Sequence, residues 1–385
     1  MAKALRLTRA GHLGAATRLI QSTLMQATSA RSARRGMTHV TDSFAMVDAL
    51  SRFLPMNPFA LAAPEPKTKP KPKTGRKPKI AGKSRPAVKP KTVRASETRP
   101  SAAGSFTERH FRGSEGTLDY WLYLPARPAR GLPLVVMMHG CTQTPCDFAR
   151  GTGMNLLAEE IGFVVAYPSQ PASANIARCW NWFKPGDQRR GSGEPAAIAA
   201  LTRAIIAEHE TDASRVYVAG LSAGGAAAAI LGAAYPDIYA AIGVHSGLAC
   251  GAATDMMSAF SAMRNGSLQT HGRRREGRFV PVITFHGDQD SKVHAINSAQ
   301  IVANAAEQIE TPLAITHQRG ETAAGRAYTR ELNSSADGAV QIEQWTIHGA
   351  GHAWSGGSAD GTYTDASGPD ASRAMFAFFQ AHRIA

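Results

Sequence analysis

One pentapeptide, Gly220-Leu221-Ser222-Ala223-Gly224, restricts the folds open to this 385-residue chain more than any other segment. A β-prone run, Arg215-Val216-Tyr217-Val218-Ala219, precedes it, and a small-residue run from Gly225 to Leu231 suited to start a helix follows. Strand, sharp turn and helix in that order put the serine at the apex of a strained bend, where its hydroxyl is a candidate nucleophile. The flanking glycines fit that role, because so tight a turn leaves no room for a neighbouring Cβ.

The rest of the chain repeats the strand–helix theme. Strands are predicted at Phe106–Phe111, Leu118–Leu124, Leu134–Met138, Gly162–Tyr167, Val216–Ala219, Val282–Phe285 and Val340–Ile347. Helices are predicted at Gly151–Ile161, Glu194–Glu208, Ala223–Ala233, Ala295–Glu310 and Asp370–His382. Such alternation over roughly 280 residues implies an α/β fold, a mostly parallel central sheet with helices on both faces.

Three regions follow: 1–63, weakly apolar with an amphipathic start; 64–105, a Lys/Pro-rich linker; and 106–385, the α/β catalytic domain. The net charge of +14 suggests a nucleic-acid binder until it is located. Between Pro64 and Pro100 stand thirteen Lys/Arg and two Glu, which leaves only about +3 for the remainder. Proline removes donors and the lysines repel, so this stretch cannot collapse and reads as an extended, solvated linker. Its functional alternative is a tether to an anionic granule or surface; no specific nucleic-acid partner is expected.

No run is apolar enough to span a bilayer. Arg6, Arg9, His12 and Arg18 interrupt the apolar positions of the first 25 residues, so no signal-peptide core is legible. The four cysteines, Cys141, Cys146, Cys179 and Cys250, show no metal-binding spacing, and neither a metal nor a cofactor is expected.

A serine hydroxyl needs an imidazole to take its proton and a carboxylate to orient that imidazole. In strand–turn–helix nucleophile folds, acid and base follow the serine in that order, each after a strand. Here His286-Gly287-Asp288-Gln289-Asp290 follows one strand, with Asp290 preferred as the acid and Asp288 as the alternative. His348-Gly349-Ala350-Gly351-His352 follows the next; His352 is preferred over His348, because two glycines let its loop fold back. His139, His286 and His294 are further histidines without an assigned role. Two backbone N–H groups must face the oxyanion, and those of Ala223 and Cys141 are the candidates.

Several motifs together resemble the polyhydroxybutyrate depolymerase-like esterases of the α/β-hydrolase superfamily. They are His139-Gly140-Cys141-Thr142-Gln143, Cys179-Trp180-Asn181-Trp182-Phe183, Gly191-Ser192-Gly193-Glu194-Pro195-Ala196 and Gly220-Leu221-Ser222-Ala223-Gly224-Gly225. Phe285 to Asp290, Gly351 to Gly357 and Gly368 to Ala371 continue the likeness, which spans about residues 106 to 382. The resemblance implies a triad of Ser222, Asp290 and His352, with Cys141 in the oxyanion hole and an extracellular location. It also suggests a Cys141–Cys179 disulfide, two free thiols being the alternative. Trp180, Trp182 and Trp354 are candidates to line an apolar substrate groove, or else pack in the core.

The leading expectation is a serine esterase acting on polyhydroxyalkanoate or 3-hydroxybutyrate esters. The alternative within enzymes is a feruloyl or acetylxylan-type carbohydrate esterase, since the same broad group includes both. A cytoplasmic, granule-associated protein remains the alternative location. A non-enzymatic interaction protein working through the basic tail is the other class, disfavoured by the intact Ser, Asp, His order.

Overall fold

The computed structural model describes residues 104–268 and 277–385, Pro128 excepted. The amphipathic region 1–63 and nearly all of the linker 64–105 therefore lie outside the described residues.

Ten strands form one sheet. They are β1 (Ser105–Gly113), β2 (Gly116–Leu124), β3 (Leu134–Met138), β4 (Val164–Pro168), β5 (Val216–Leu221), β6 (Ala241–His245), β7 (Val282–Gly287), β8 (Ala314–Glu321), β9 (Ala327–Ser334) and β10 (Val340–Ile347). Their order is β1-β2-β4-β3-β5-β6-β7-β10-β9-β8. From β4 to β10 every neighbouring pair is parallel, and antiparallel strands are added at both wings.

The central strands read as unbroken apolar runs because both faces are covered. Along β3, Leu134, Val136 and Met138 enter one core, while Val135 and Met137 enter the other. The first core lies under α3 (Gly193–His209), α4 (Ala223–Ala234) and α6 (Ile296–Ala306). The second lies under α1 (Pro145–Thr152), α2 (Met154–Ile161) and α7 (Ala371–Gln380). A further helix, α5 (Met256–Asn265), follows β6 and packs beside α6.

Four features depart from the sequence reading, one of them α5, which was not predicted. The helix predicted at Gly151–Ile161 is two helices, because Gly153 adopts a left-handed φ of 64° that ends α1 and begins α2. β6 was not predicted; the central glycine interrupts the two strand formers of its short Ala-Ile-Gly-Val-His run, yet every residue is buried. Gly243 explains the choice: a Cβ there would stand 2.7 Å from the Met375 sulfur and 3.1 Å from the Phe379 ring, so glycine lets α7 seat on the sheet. The β8–β9 hairpin was also missed, since β8 is exposed at nearly every position and shows no alternation of apolar and polar residues.

Candidate active site

The carboxyl ends of β3, β5, β6, β7 and β10 bring the candidate residues together, as open α/β sheets do at their functional edge. Ser222 stands between β5 and α4 with φ 58° and ψ −118°, a conformation that non-glycine residues rarely adopt. The surrounding glycines make it attainable. A Cβ on Gly224 would collide with the Met138 carbonyl oxygen at the end of β3, and one on Gly220 with the backbone of Gly224. The Ser222 N–H donates to the His245 carbonyl at 2.9 Å, which fixes the bend against the end of β6.

Asp290 and His352 meet: His352 Nδ1 lies 2.6 Å from Asp290 Oδ2, with the carboxylate fully buried and the imidazole 11% exposed. The other carboxylate oxygen accepts the N–H groups of Lys292 (2.8 Å) and Val293 (2.9 Å). Burial pushes the Asp290 carboxyl up. Hydrogen bonds from His286 and His352, the His352 charge and the Val293 amide outweigh it, and hold the group well below the usual carboxylate range. An ionised Asp290 therefore accepts from the Nδ1–H of His352 and leaves Nε2 as the basic nitrogen.

Asp288 and His348, the weaker candidates, pair with each other. His348 Nδ1 is 2.9 Å from Asp288 Oδ2 and its Nε2 is 2.8 Å from the Thr329 hydroxyl on β9. This second pair is substantially exposed and is directed at the β9 wing. His139 is buried, its Nε2 accepting the Gln170 N–H, and burial lowers its pKa to about 4. His286 is buried beside the acid, with Nε2 donating to the Val293 carbonyl at 2.7 Å and 3.5 Å from Asp290 Oδ2. His294 caps the turn before α6, where its Nδ1 accepts the Ile296 N–H.

One residue here escaped the sequence reading. His245, at the end of the unpredicted β6, joins the Ser222 bend to the loop that carries His352. Its carbonyl accepts from Ser222, and its ring Nε2 accepts the Ser355 N–H at 3.0 Å, three residues beyond His352. Burial, then the neighbouring His286 and His352 charges, hold its pKa well below the ordinary histidine value, so it is a neutral acceptor. A histidine closing a recognised strand beside a Ser246-Gly247 turn would have been the only sequence signal.

The oxyanion candidates are placed by two different devices. Ala223 is the first residue of α4, so its N–H has no intrahelical acceptor. Around Cys141 the other amides are engaged: Gly140 donates to Gln143 Oε1 (2.9 Å) and Thr142 to the Ala177 carbonyl (2.7 Å). The Cys141 N–H has no acceptor among the described residues. Cys141 is disulfide-bonded to Cys179, and Cys146 and Cys250 lie outside that bridge.

The three tryptophans are core residues. Trp180, 0% exposed, donates to the His139 carbonyl; Trp354, 1% exposed, donates to the Ser372 hydroxyl; Trp182 packs edge-on against Phe183 and is also buried. Their rings have no free face for a groove, and their burial follows from the large apolar area that each removes from water. Among the described residues no group of three His, Cys, Asp or Glu could hold a metal. No helix among them is long and apolar enough to cross a membrane.

A parallel sheet flanked by helices, with a serine at a strand–helix bend and a buried Asp–His pair on later loops, defines the α/β-hydrolase fold. An acetyl xylan esterase from Aspergillus awamori shares that fold with a TM-score of 0.57 and 21% identity, covering 72% of this chain and 100% of its own. The model of the family described as esterase PHB depolymerase matches residues 118–324, and the chain belongs to that family. The match takes in Cys141, Ser222 and Asp290 and ends before His352.

Curated relatives carry three kinds of substrate name. Poly(3-hydroxyalkanoate) depolymerase C of Paucimonas lemoignei is 34% identical over 255 residues, 63% of this chain and 60% of the relative. Feruloyl esterase B of Neurospora crassa is 34% identical over 139 residues, 36% of this chain and 47% of the relative. The probable acetylxylan esterase A of Neosartorya fischeri is 34% identical over 137 residues, 35% of this chain and 36% of the relative. The chain thus spans less than two thirds of the length of each.

Proposed function

We propose that the protein is a serine esterase that hydrolyses polyhydroxyalkanoate or 3-hydroxybutyrate ester bonds. The observation that carries this reading is the buried Asp290–His352 pair, 2.6 Å apart, linked through His245 to the strained Ser222 bend. In the proposed reaction Ser222 Oγ attacks the ester carbonyl while His352 Nε2 takes its proton. Asp290 holds the Nδ1–H and stabilises the imidazolium. The Cys141 and Ala223 amides bind the oxyanion, and His352 returns the proton to the leaving alcohol. Water activated by His352 then releases the acyl group from Ser222.

The choice of polyester rests on the depolymerase of Paucimonas lemoignei, whose similarity runs through 63% of this chain. The feruloyl and acetylxylan reading is favoured by relatives of equal identity over a shorter stretch. We assign the chemistry to residues 106–385 and a tether to an anionic granule or surface to the Lys/Pro-rich segment 64–105. The Cys141–Cys179 bridge supports an oxidising, extracellular location.

The test is hydrolysis of a short 3-hydroxybutyrate oligomer, a polymer film and a feruloyl ester by the full chain beside Ser222→Ala. Oligomer or film turnover lost in the variant supports the proposal. Feruloyl turnover alone moves the enzyme to carbohydrate esters. Turnover that survives in Ser222→Ala overturns the mechanism.

A further inference from the structure

The Gly191 to Ala196 motif has no part in the triad, yet it supplies a charged group to the interior. Glu194 is the second residue of α3, and its carboxylate accepts three hydrogen bonds. Oε1 accepts from Gln170 Nε2 (2.6 Å) and Asn181 Nδ2 (2.5 Å), and Oε2 accepts the Asn181 N–H (2.8 Å). Gln170 and Asn181 are themselves buried, so these donors have no water to turn to.

Both partners lead to the loop that carries Cys141. The same Gln170 amide nitrogen also donates to the Cys179 carbonyl (2.9 Å), while the Gln170 N–H donates to His139 Nε2 (3.2 Å). Trp180, between Cys179 and Asn181, donates its Nε1–H to the His139 carbonyl (3.1 Å). Cys179 is bonded to Cys141, and Thr142 is held by Ala177. The His139 and Cys141 ties and the Thr142 N–H bond therefore end on residues 170 or 177–181, and Glu194 joins 170 to 181; Gly140 is held by Gln143, and the Thr142 hydroxyl meets Tyr363 OH at 3.3 Å.

We infer that Glu194 is a positioning residue for the oxyanion hole, holding the Gln170 and Cys179–Asn181 struts that set where the Cys141 N–H points. It touches no substrate and acts through those struts; the inference rests on the serine-esterase reading above. An acidic residue in the first turn of a helix is also favourable for the helix dipole alone. That structural role would lower stability without altering the rate per intact active site, so the two are separable.

The experiment uses the full chain with Glu194→Gln, which keeps the volume but turns an NH₂ group toward donors. Active sites are counted with a phosphonate that labels Ser222. Then kcat and KM on a soluble short ester are measured, with Ki for a boronic acid whose tetrahedral serine adduct occupies the oxyanion hole. Displacing one donor, rather than deleting it, should lower kcat per titrated site roughly ten- to hundredfold and raise the boronate Ki in parallel, with KM within about twofold. Unchanged kcat per site and Ki, with only stability reduced, overturn the inference. If Glu194→Gln does not fold, Gln170→Met severs the same strut, and an unchanged Ki there overturns it equally. A wild-type protein that neither turns over the ester nor takes up the phosphonate overturns the esterase reading and this inference together. An active wild type beside an equally active Glu194→Gln overturns this inference alone.

Discussion

The loops after β7 and β10 meet twice, and the two aspartate–histidine pairs they make are chemically unlike. Asp290–His352 has a fully buried carboxylate, two backbone amides on its second oxygen, and a neutral His245 linking its loop to Ser222. Asp288–His348 has similar contact distances, but its side chains are 33% and 43% exposed and the far nitrogen of its histidine is bonded to Thr329. Asp288 also accepts the Gly349 N–H at 2.7 Å, so the outer pair clamps the two loops together. An Asp–His contact therefore does not by itself define a catalytic pair. What separates them is burial of the carboxylate, and the far nitrogen of His348 is already engaged by Thr329.

The largest effects should come from the inner site. Ser222→Ala and His352→Ala should each lower kcat on a soluble ester by about 10⁴-fold or more, whereas His348→Ala should stay within about threefold. A His348→Ala enzyme as inactive as His352→Ala would break the comparison. Next, Asp290→Asn should cost about 10³- to 10⁴-fold by removing the acceptor that fixes the His352 tautomer. Asp288→Asn should cost no more than several-fold in kcat, together with a small fall in Tm from the loosened loop clamp. Comparable kcat losses for the two asparagine variants would show that both pairs serve the reaction.

A smaller effect contrasts buried with exposed imidazoles. Burial lowers His139 and His382 to about 4, and holds His245 lower than an ordinary histidine. In the unfolded chain each binds a proton near about 6.5. The unfolded state therefore gains protons first as pH falls. Their contribution to stability is complete above about pH 6.5 and is lost progressively down to about 4. Burial raises the Glu194 pKa and acts in the opposite sense, while burial also lowers His209 and hydrogen bonds hold Asp290 low, both acting in the same sense as the three histidines. Tm followed from pH 8 to 4 should drop through that window in wild type and equally in His348→Ala. A flat Tm would contradict the burial of neutral histidines.

Legibility in the sequence followed the strength of local patterning. Strands β3, β5 and β7 are short apolar runs closed by glycine or serine turns, and they lie where periodicity placed them. β6 was hidden because its central glycine serves the helix packed on it. The tryptophans were ambiguous for a related reason: an aromatic beside a motif reads alike whether its ring faces substrate or the core. Trp180 and Trp354 are core residues with one hydrogen bond each, which only their neighbours reveal.

The sequence by itself determined the strand–bend–helix around Ser222, the α/β class, and the order of the candidate residues Ser222, Asp290 and His352. All of these are local or serial properties of the chain. Tertiary structure alone decided that His245 joins the Ser222 bend to the His352 loop, that Glu194 joins Gln170 to Asn181 behind the Cys141 loop, and which Asp–His pair is buried. Each depends on contacts between residues far apart in sequence, whose burial is set by the packing of the whole sheet and not by the residues themselves.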